Sequence, residues 1–335
     1  MIRLKNSEQF ENGKFKNTTQ TQVSTGSLWK VMKEYLTDNR RFKKPEKVIP
    51  VHPLKASDFS KVPSMEYKVY WLGHSSFILE LNHKRFLIDP VLSERASMFD
   101  WVGPKRFIKA PVSVEEMPAL DGVIISHDHY DHLDKQTIIT LSQKGLHFYL
   151  PLGVGSHLAR WGVAADQLHE FDWWQSFQVG NVEIHCTPAR HFSGRGILDR
   201  NATLWASWTF IGETQRVFYS GDTGMMPGFE AIGKRFGPFD LTLMQVGAYD
   251  KNWSEIHLFP EEAAVAQEAL QGKVMIPLHW GTFDLALHDW FEPATKLENL
   301  SQNASWRLAF PKIGEAFTAS RSNDTPYWWK ALLEE

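Results

Sequence analysis

The sequence predicts an α/β chain: two β-sheets with helices on their outer faces, behind a polar N-terminal arm. Short apolar runs with strand character come in two batches, helical patterns sit between some of them, and no linker divides the batches. The length of 335 residues suits one large α/β domain. Hydrophobic residues at 43% and charged residues at 22% exclude wholesale disorder, a collagen-like repeat and a disulfide-stapled miniprotein. Lys plus Arg number 36 against 39 for Asp plus Glu, so the net charge is −3. That balance argues against a protein built to grip nucleic-acid phosphates, and no nucleic-acid partner is expected. Cys186, the single cysteine, cannot form an internal disulfide. No apolar run reaches membrane-spanning length, and the opening MIRLKNSEQFENGKFKN lacks the apolar core of a secretory signal. A soluble, cytoplasmic protein is the expectation.

Residues 1 to about 25 are rich in Asn, Gln, Thr and Ser and read as a loosely held arm. In SLWKVMKEYLTDNRRF, apolar residues at helical spacing behind a Ser27 cap predict a short helix, and KKPEKVIPVHP predicts an extended linker. These segments make up residues 1–65, and residues 66–335 form one catalytic domain. Its strands are predicted in YKVYWLG, SFILEL, KRFLID, GVIIS, VEIHCTP, TLWASWTFIG, RVFYSG, LTLMQVG and VMIPL. KQTIITLSQK follows an Asp134 cap and stops at Gly145, while PEEAAVAQEALQ starts with Pro260 and ends before Gly272.

Five of the strands run into a loop bearing His or Asp: Asp89, the HDHYDH loop, His191, Asp222 and His279. Metal-capable ligands at the carboxyl ends of apolar strands describe a constellation at one edge of a sheet core. His127 and His129 are two apart, so in extended backbone they project to the same side and can share one ion. Asp131 and His132 follow at once, and a turning backbone could aim them at a second ion. His191 would complete three imidazoles on the first ion, Asp222 could bridge both, and His279 would join Asp131 and His132. Imidazole and carboxylate donors without thiolate suit two zinc ions, with iron or manganese as alternatives.

SHDHYDHLD, His191, SGDTG and PLHWGTF together resemble the metallo-β-lactamase superfamily. YWLGHSSFILE, LIDPVLS, GPKRF, DRNATLWASWTF, GDTGMMPGF and HWGTFDLALHDWFEP resemble its branch of N-acylphosphatidylethanolamine-hydrolysing phospholipases D and their bacterial relatives. The resemblance implies a four-layer αβ/βα sandwich with a dinuclear site between the sheets. It implies ligation by His127, His129 and His191 at one ion and by Asp131, His132 and His279 at the other, with Asp222 bridging. It also implies a homodimer and a peripheral membrane contact.

Two ions of this kind lower the pKa of a bridging water and supply hydroxide as nucleophile, so the expected activity is hydrolysis, and the resemblance implies a phosphodiester as the bond cleaved. A phospholipase D-like reaction on an N-acyl phospholipid or a related phosphorylated metabolite fits the resemblance. A lactone or cyclic-ester hydrolase and a non-catalytic metal-binding protein are the alternatives. Asp131 is the candidate to orient the hydroxide and handle its proton, and Asp89 is a candidate acceptor for a ligand imidazole. The resemblance places His257 near the substrate, as a phosphate contact or leaving-group acid. His74 reads as a core histidine that could sit beneath the metals. The tryptophans of DWWQSF and TLWASWTF read as core, with an acyl-chain groove as the alternative.

Overall fold

The structure, a computed structural model, describes residues 4, 6–23, 28–59, 62, 65–321 and 327–334. The arm holds a two-stranded hairpin, β1 (Phe10–Glu11) and β2 (Lys14–Phe15), followed by helix α1 (Leu28–Thr37). Then come β3 (Lys68–Gly73), β4 (Ser76–Leu81), β5 (Lys84–Ile88), β6 (Gly122–Ile124), α2 (Lys135–Ser142), β7 (Phe148–Pro151), α3 (Gly155–Arg160) and β8 (Leu168–Phe171). The second batch is β9 (Ser176–Val179), β10 (Val182–Thr187), β11 (Ser207–Ile211), β12 (Arg216–Tyr219), α4 (Gly228–Phe236), β13 (Leu241–Gln245), α5 (Pro260–Ala269) and β14 (Val274–Leu278). Helix α6 (Glu292–Ser301) and the short strands β15 (Arg307–Leu308) and β16 (Ala316–Thr318) complete the fold.

Both sheets have seven strands, in the orders β16-β3-β4-β5-β6-β7-β8 and β15-β14-β13-β12-β11-β10-β9. Each is antiparallel on one side of a switch strand, β5 or β12, and parallel on the other. Strand β4 shows why they stack. Phe77, Leu79 and Leu81 point into the space between the sheets, whereas Ile78 joins the cluster under α2 and α3. Across the gap Phe77 meets Tyr219 at 5.0 Å and Phe86 meets Phe210 at 5.9 Å between ring centres. Phe229 and Ile232 of α4, Ala263 and Ala266 of α5 and Leu297 of α6 cover the other sheet. The layering is helices, sheet, sheet, helices. Among the described residues no helix is long and apolar enough to cross a membrane.

The predicted helix signals are present. Asp134 accepts from the Gln136 amide at 3.2 Å and from the Thr137 hydroxyl at 2.6 Å, and Pro260 opens α5. The Ser27 cap lies outside the described residues. Strand β11 starts only at Ser207, later than TLWASWTFIG predicts, because the Leu204 and Ala206 amides donate to Leu152 and Ser126 at the ends of the other sheet's strands. Strands β8 and β9, absent from the sequence reading, are half-exposed edge strands with little apolar alternation. The arm departs most from expectation. Phe15 is 1% exposed within the main core, and its amide donates to the Asn201 carbonyl at 2.7 Å, so a buried anchor replaces the loose segment.

The ends of β13 and β14 pass so closely that a Cβ on Gly247 would lie 1.9 Å from the His279 carbonyl oxygen. Gly247→Ala must therefore displace the backbone of His279. A loss of about 1–3 kcal/mol or more, read from the denaturant midpoint, is expected.

Candidate metal centre

Every predicted metal-site residue follows a strand end, and the loops converge between the sheets. Asp89 follows β5 and HDHYDH follows β6; His191, Asp222 and His279 follow β10, β12 and β14 of the opposite sheet. Ligands gathered at the carboxyl ends of strands beside a switch point are what an open α/β sheet provides.

Two donor sets result. His127 Nε2 and His191 Nε2 face His129 Nδ1 at 2.9 and 3.2 Å. Asp131, His132 and His279, joined by His74, form the other set, with His279 Nε2 3.3 Å and His132 Nε2 3.7 Å from Asp131 Oδ2. Asp222 lies between them. Its Oδ2 is 3.9 Å from both His127 Nε2 and His191 Nε2, and 3.1 Å from His279 Nε2, while its Oδ1 is 3.2 Å from His132 Nε2. The structure thus brings all seven predicted ligands together.

The surrounding hydrogen bonds decide which ring nitrogens carry lone pairs. Asp89, fully buried, accepts from the Ser126 amide at 2.7 Å, the Ser126 and Tyr219 hydroxyls, and His132 Nδ1 at 2.7 Å. Because the Ser126 hydroxyl proton goes to Asp89, Ser126 Oγ is left to accept from His127 Nδ1 at 2.9 Å. His191 Nδ1 donates to the Ile256 carbonyl at 2.9 Å. In each of these three imidazoles Nδ1 carries a proton and Nε2 turns toward the centre; in His127 and His191 it presents a lone pair, and His132 gives up its second proton when it ligates. A carbonyl or carboxylate behind the ring is what a ligating histidine needs. His132 Nε2, His279 Nε2 and Asp222 Oδ1 are buried without a hydrogen-bond partner of good geometry. Unpaired buried donors and acceptors are costly unless a cation completes them, so the residues fit a metal pair.

Electrostatics agrees. Burial drives His127 and His191 well below the ordinary imidazole range, which keeps both neutral. Burial opposes the charged carboxylates of Asp222 and Asp131, yet the adjacent imidazoles, His132 foremost, hold both well below the usual range. Burial likewise opposes a protonated His132, but Asp222 and Asp131 raise it well above its ordinary value. The two carboxylates thus favour positive charge at the centre.

Outside the predicted set, His74 is fully buried, and its Nε2 lies 2.9 Å from Asp131 Oδ2. Its ring packs 3.9 Å from that of His279, and its carbonyl accepts the His279 amide. The GHSSF motif was the available signal. His257 lines the cavity with Nδ1 buried and unpartnered, 3.9 Å from Asp222 Oδ2, and burial pushes it down to about 4. Asp128 braces the loop from behind, accepting from the Gly194 amide and the Thr203 hydroxyl. Trp173, Trp205 and Trp208 are core residues; the aromatics facing the centre are Phe192 and Trp253. The cavity over the centre measures about 270 Å³, with Val23, Phe192, Ala248, Trp253, Ile256 and Leu285 as its apolar wall. A larger groove of about 900 Å³ between Leu92 and Thr140 contains no histidine and shares no residue with the centre.

A sandwich of two mixed sheets with a His- and Asp-rich centre at their strand ends defines a metal-dependent hydrolase fold. Residues 84–280 match the Beta-lactamase superfamily domain, and the chain belongs to the metallo-β-lactamase superfamily. It is 34% identical over 313 residues to N-acyl-phosphatidylethanolamine-hydrolyzing phospholipase D 1 of Caenorhabditis elegans, spanning 89% of this chain and 87% of the relative. It is 44% identical over 282 residues to the uncharacterized protein Rv0906 of Mycobacterium tuberculosis, spanning 83% of this chain and 76% of the relative. Among solved structures, Igni18, a metallo hydrolase from Ignicoccus hospitalis, shares the fold with a TM-score of 0.58. The two are 21% identical over 76% of this chain and 98% of that one.

Two outcomes follow from the site. Asp89→Asn presents an N–H or an unmatched oxygen to His132 and Ser126, and should lower metal affinity by about 10–100-fold in equilibrium dialysis. Protonated imidazole cannot ligate, and His127 and His191 are neutral to well below 6.5. The ion held by the His127, His129 and His191 set should therefore survive dialysis at pH 6 and leave only at lower pH; its release already at pH 7 would contradict the arrangement.

Proposed function

We propose that this hydrolase uses two zinc ions to cleave a phosphodiester, in a phospholipase D-like reaction on an N-acyl phospholipid or a related phosphorylated metabolite. The observation that carries the reading is Asp222 standing within 3.1–3.9 Å of imidazoles of both donor sets beneath a cavity with an apolar wall. Similarity to the Caenorhabditis elegans phospholipase D supports the choice of bond. His127, His129 and His191 would hold one ion, Asp131, His132 and His279 the other, and Asp222 both. When bound, such ions supply Lewis acidity at the phosphoryl group and hydroxide at neutral pH.

The chain's own residues supply the rest. Asp131, fixed by His74, stands in the cavity wall where it can orient a nucleophilic water and accept its proton. His257, which lines the cavity with its Nδ1 3.9 Å from Asp222 Oδ2, would contact a substrate oxygen or protonate the leaving group. The apolar wall suits an acyl chain. We also propose peripheral contact with a lipid surface, supported by Trp101, Ile197 and Leu198, which are 77%, 97% and 95% exposed.

Chelator-stripped protein should neither cleave N-acyl phosphatidylethanolamine nor hydrolyse an aryl phosphodiester, and zinc should restore both. Failure of zinc-loaded protein on both substrates overturns the reading, and turnover of lactones instead would select the cyclic-ester alternative. Replacing Ile197 and Leu198 by Ser should weaken co-sedimentation with phospholipid vesicles by about tenfold or more.

A further inference from the structure

The N-terminal arm reaches the third histidine of the centre. Asn17 Nδ2 donates to the His191 carbonyl at 2.8 Å, and Asn17 Oδ1 accepts from the His191 amide at 3.1 Å. The same oxygen accepts the Trp205 indole N–H at 3.0 Å. One side-chain amide thus makes both bonds that a paired strand residue would make, on a segment that has already left β10.

A second tie lies a few residues on. Arg190 donates from Nε to the Thr21 hydroxyl at 3.0 Å and from Nη2 to the Gln20 carbonyl at 3.1 Å. Glu255 Oε2 accepts from both Arg190 Nη2 and the Gln22 amide at 2.7 Å. Arg190 precedes His191, and Glu255 precedes Ile256, whose carbonyl takes the His191 Nδ1 proton. The arm therefore grips the backbone of His191 and the segment that orients its ring. Val23 then enters the cavity wall.

We infer that Asn17 is a positioning residue for the metal centre and that the arm is part of the centre, an inference that rests on the metal reading above. Ligand distances tolerate only about ±0.2 Å. Nε2 stands at the far end of the side chain, so a small rotation of the His191 peptide moves it by more than that tolerance. The Asn17 amide restrains that rotation from both sides of the peptide.

Cobalt(II) titration of the full-length apoprotein, followed by visible absorption, reports ligand geometry without substrate turnover. Asn17→Ala should weaken cobalt binding by about tenfold or more and alter the spectrum. Asn17→Asp keeps both acceptor contacts but loses the donor, and should recover part of the affinity. Phe10→Ala loosens the arm's hairpin, where its ring packs 4.8 Å from that of Phe15, and touches neither His191 nor Arg190, so it should bind cobalt as wild type does. Wild-type affinity and spectrum in Asn17→Ala overturn the inference, as does an equal loss in Phe10→Ala, which would reflect general loosening. Should Asn17→Ala not fold, wild-type behaviour of Asn17→Asp overturns it. A wild-type chain that takes up no cobalt sinks the metal centre itself, an outcome distinct from these.

Discussion

The buried Asp89 carboxylate is the group on which the rest of the centre depends. It accepts from one amide, two hydroxyls and one imidazole. Those bonds set the tautomer of His132 directly and that of His127 through Ser126. Tyr219 brings the opposite sheet into the same network from the last residue of β12, three positions before Asp222. One carboxylate thus ties the two halves of the sandwich together at the point where both donor sets converge. An apolar substitution at Asp89 would leave four buried polar groups unpaired.

Backbone geometry cooperates with this network. Asp89, His74 and His279 all adopt left-handed φ values, of 39°, 56° and 68°. Such conformations persist in residues with side chains only where the surroundings enforce them. Here the His279 amide donates to the His74 carbonyl and the His74 amide to the Thr282 hydroxyl, so the two strained residues hold each other. Distant parts of the chain add support. Asn17 clamps His191 from the arm, and Trp328 near the other end stacks on Trp280, the neighbour of His279, at 5.4 Å.

Much of the fold was legible as short apolar runs, because a strand covered by the other sheet on one face and by helices on the other needs apolar side chains on both. The nine central strands and helices α1, α2 and α5 carried that signal or capping residues. Strands β7, β8 and β9 and helices α3, α4 and α6 did not. Strand β7 is buried but only four residues long and ends in Pro151, β8 and β9 are edge elements of half-exposed residues, and α3, only six residues long, lacks a side-chain cap. The seven candidate ligands were legible because imidazoles and carboxylates rarely follow apolar strands without a chemical use. His74 and Asn17 were harder: a lone histidine in a core motif and an asparagine in a polar arm look ordinary until their contacts are known.

The sequence by itself determined the layered α/β class, the donor chemistry and the strand-end placement of every candidate ligand, since these follow from local periodicity and residue type. Only tertiary structure decided which ring nitrogens face the centre, that Asp222 spans both donor sets, and that the arm belongs to the site. Those outcomes depend on hydrogen bonds between residues as far apart in the chain as Asn17 and His191, and no local pattern encodes such a pairing.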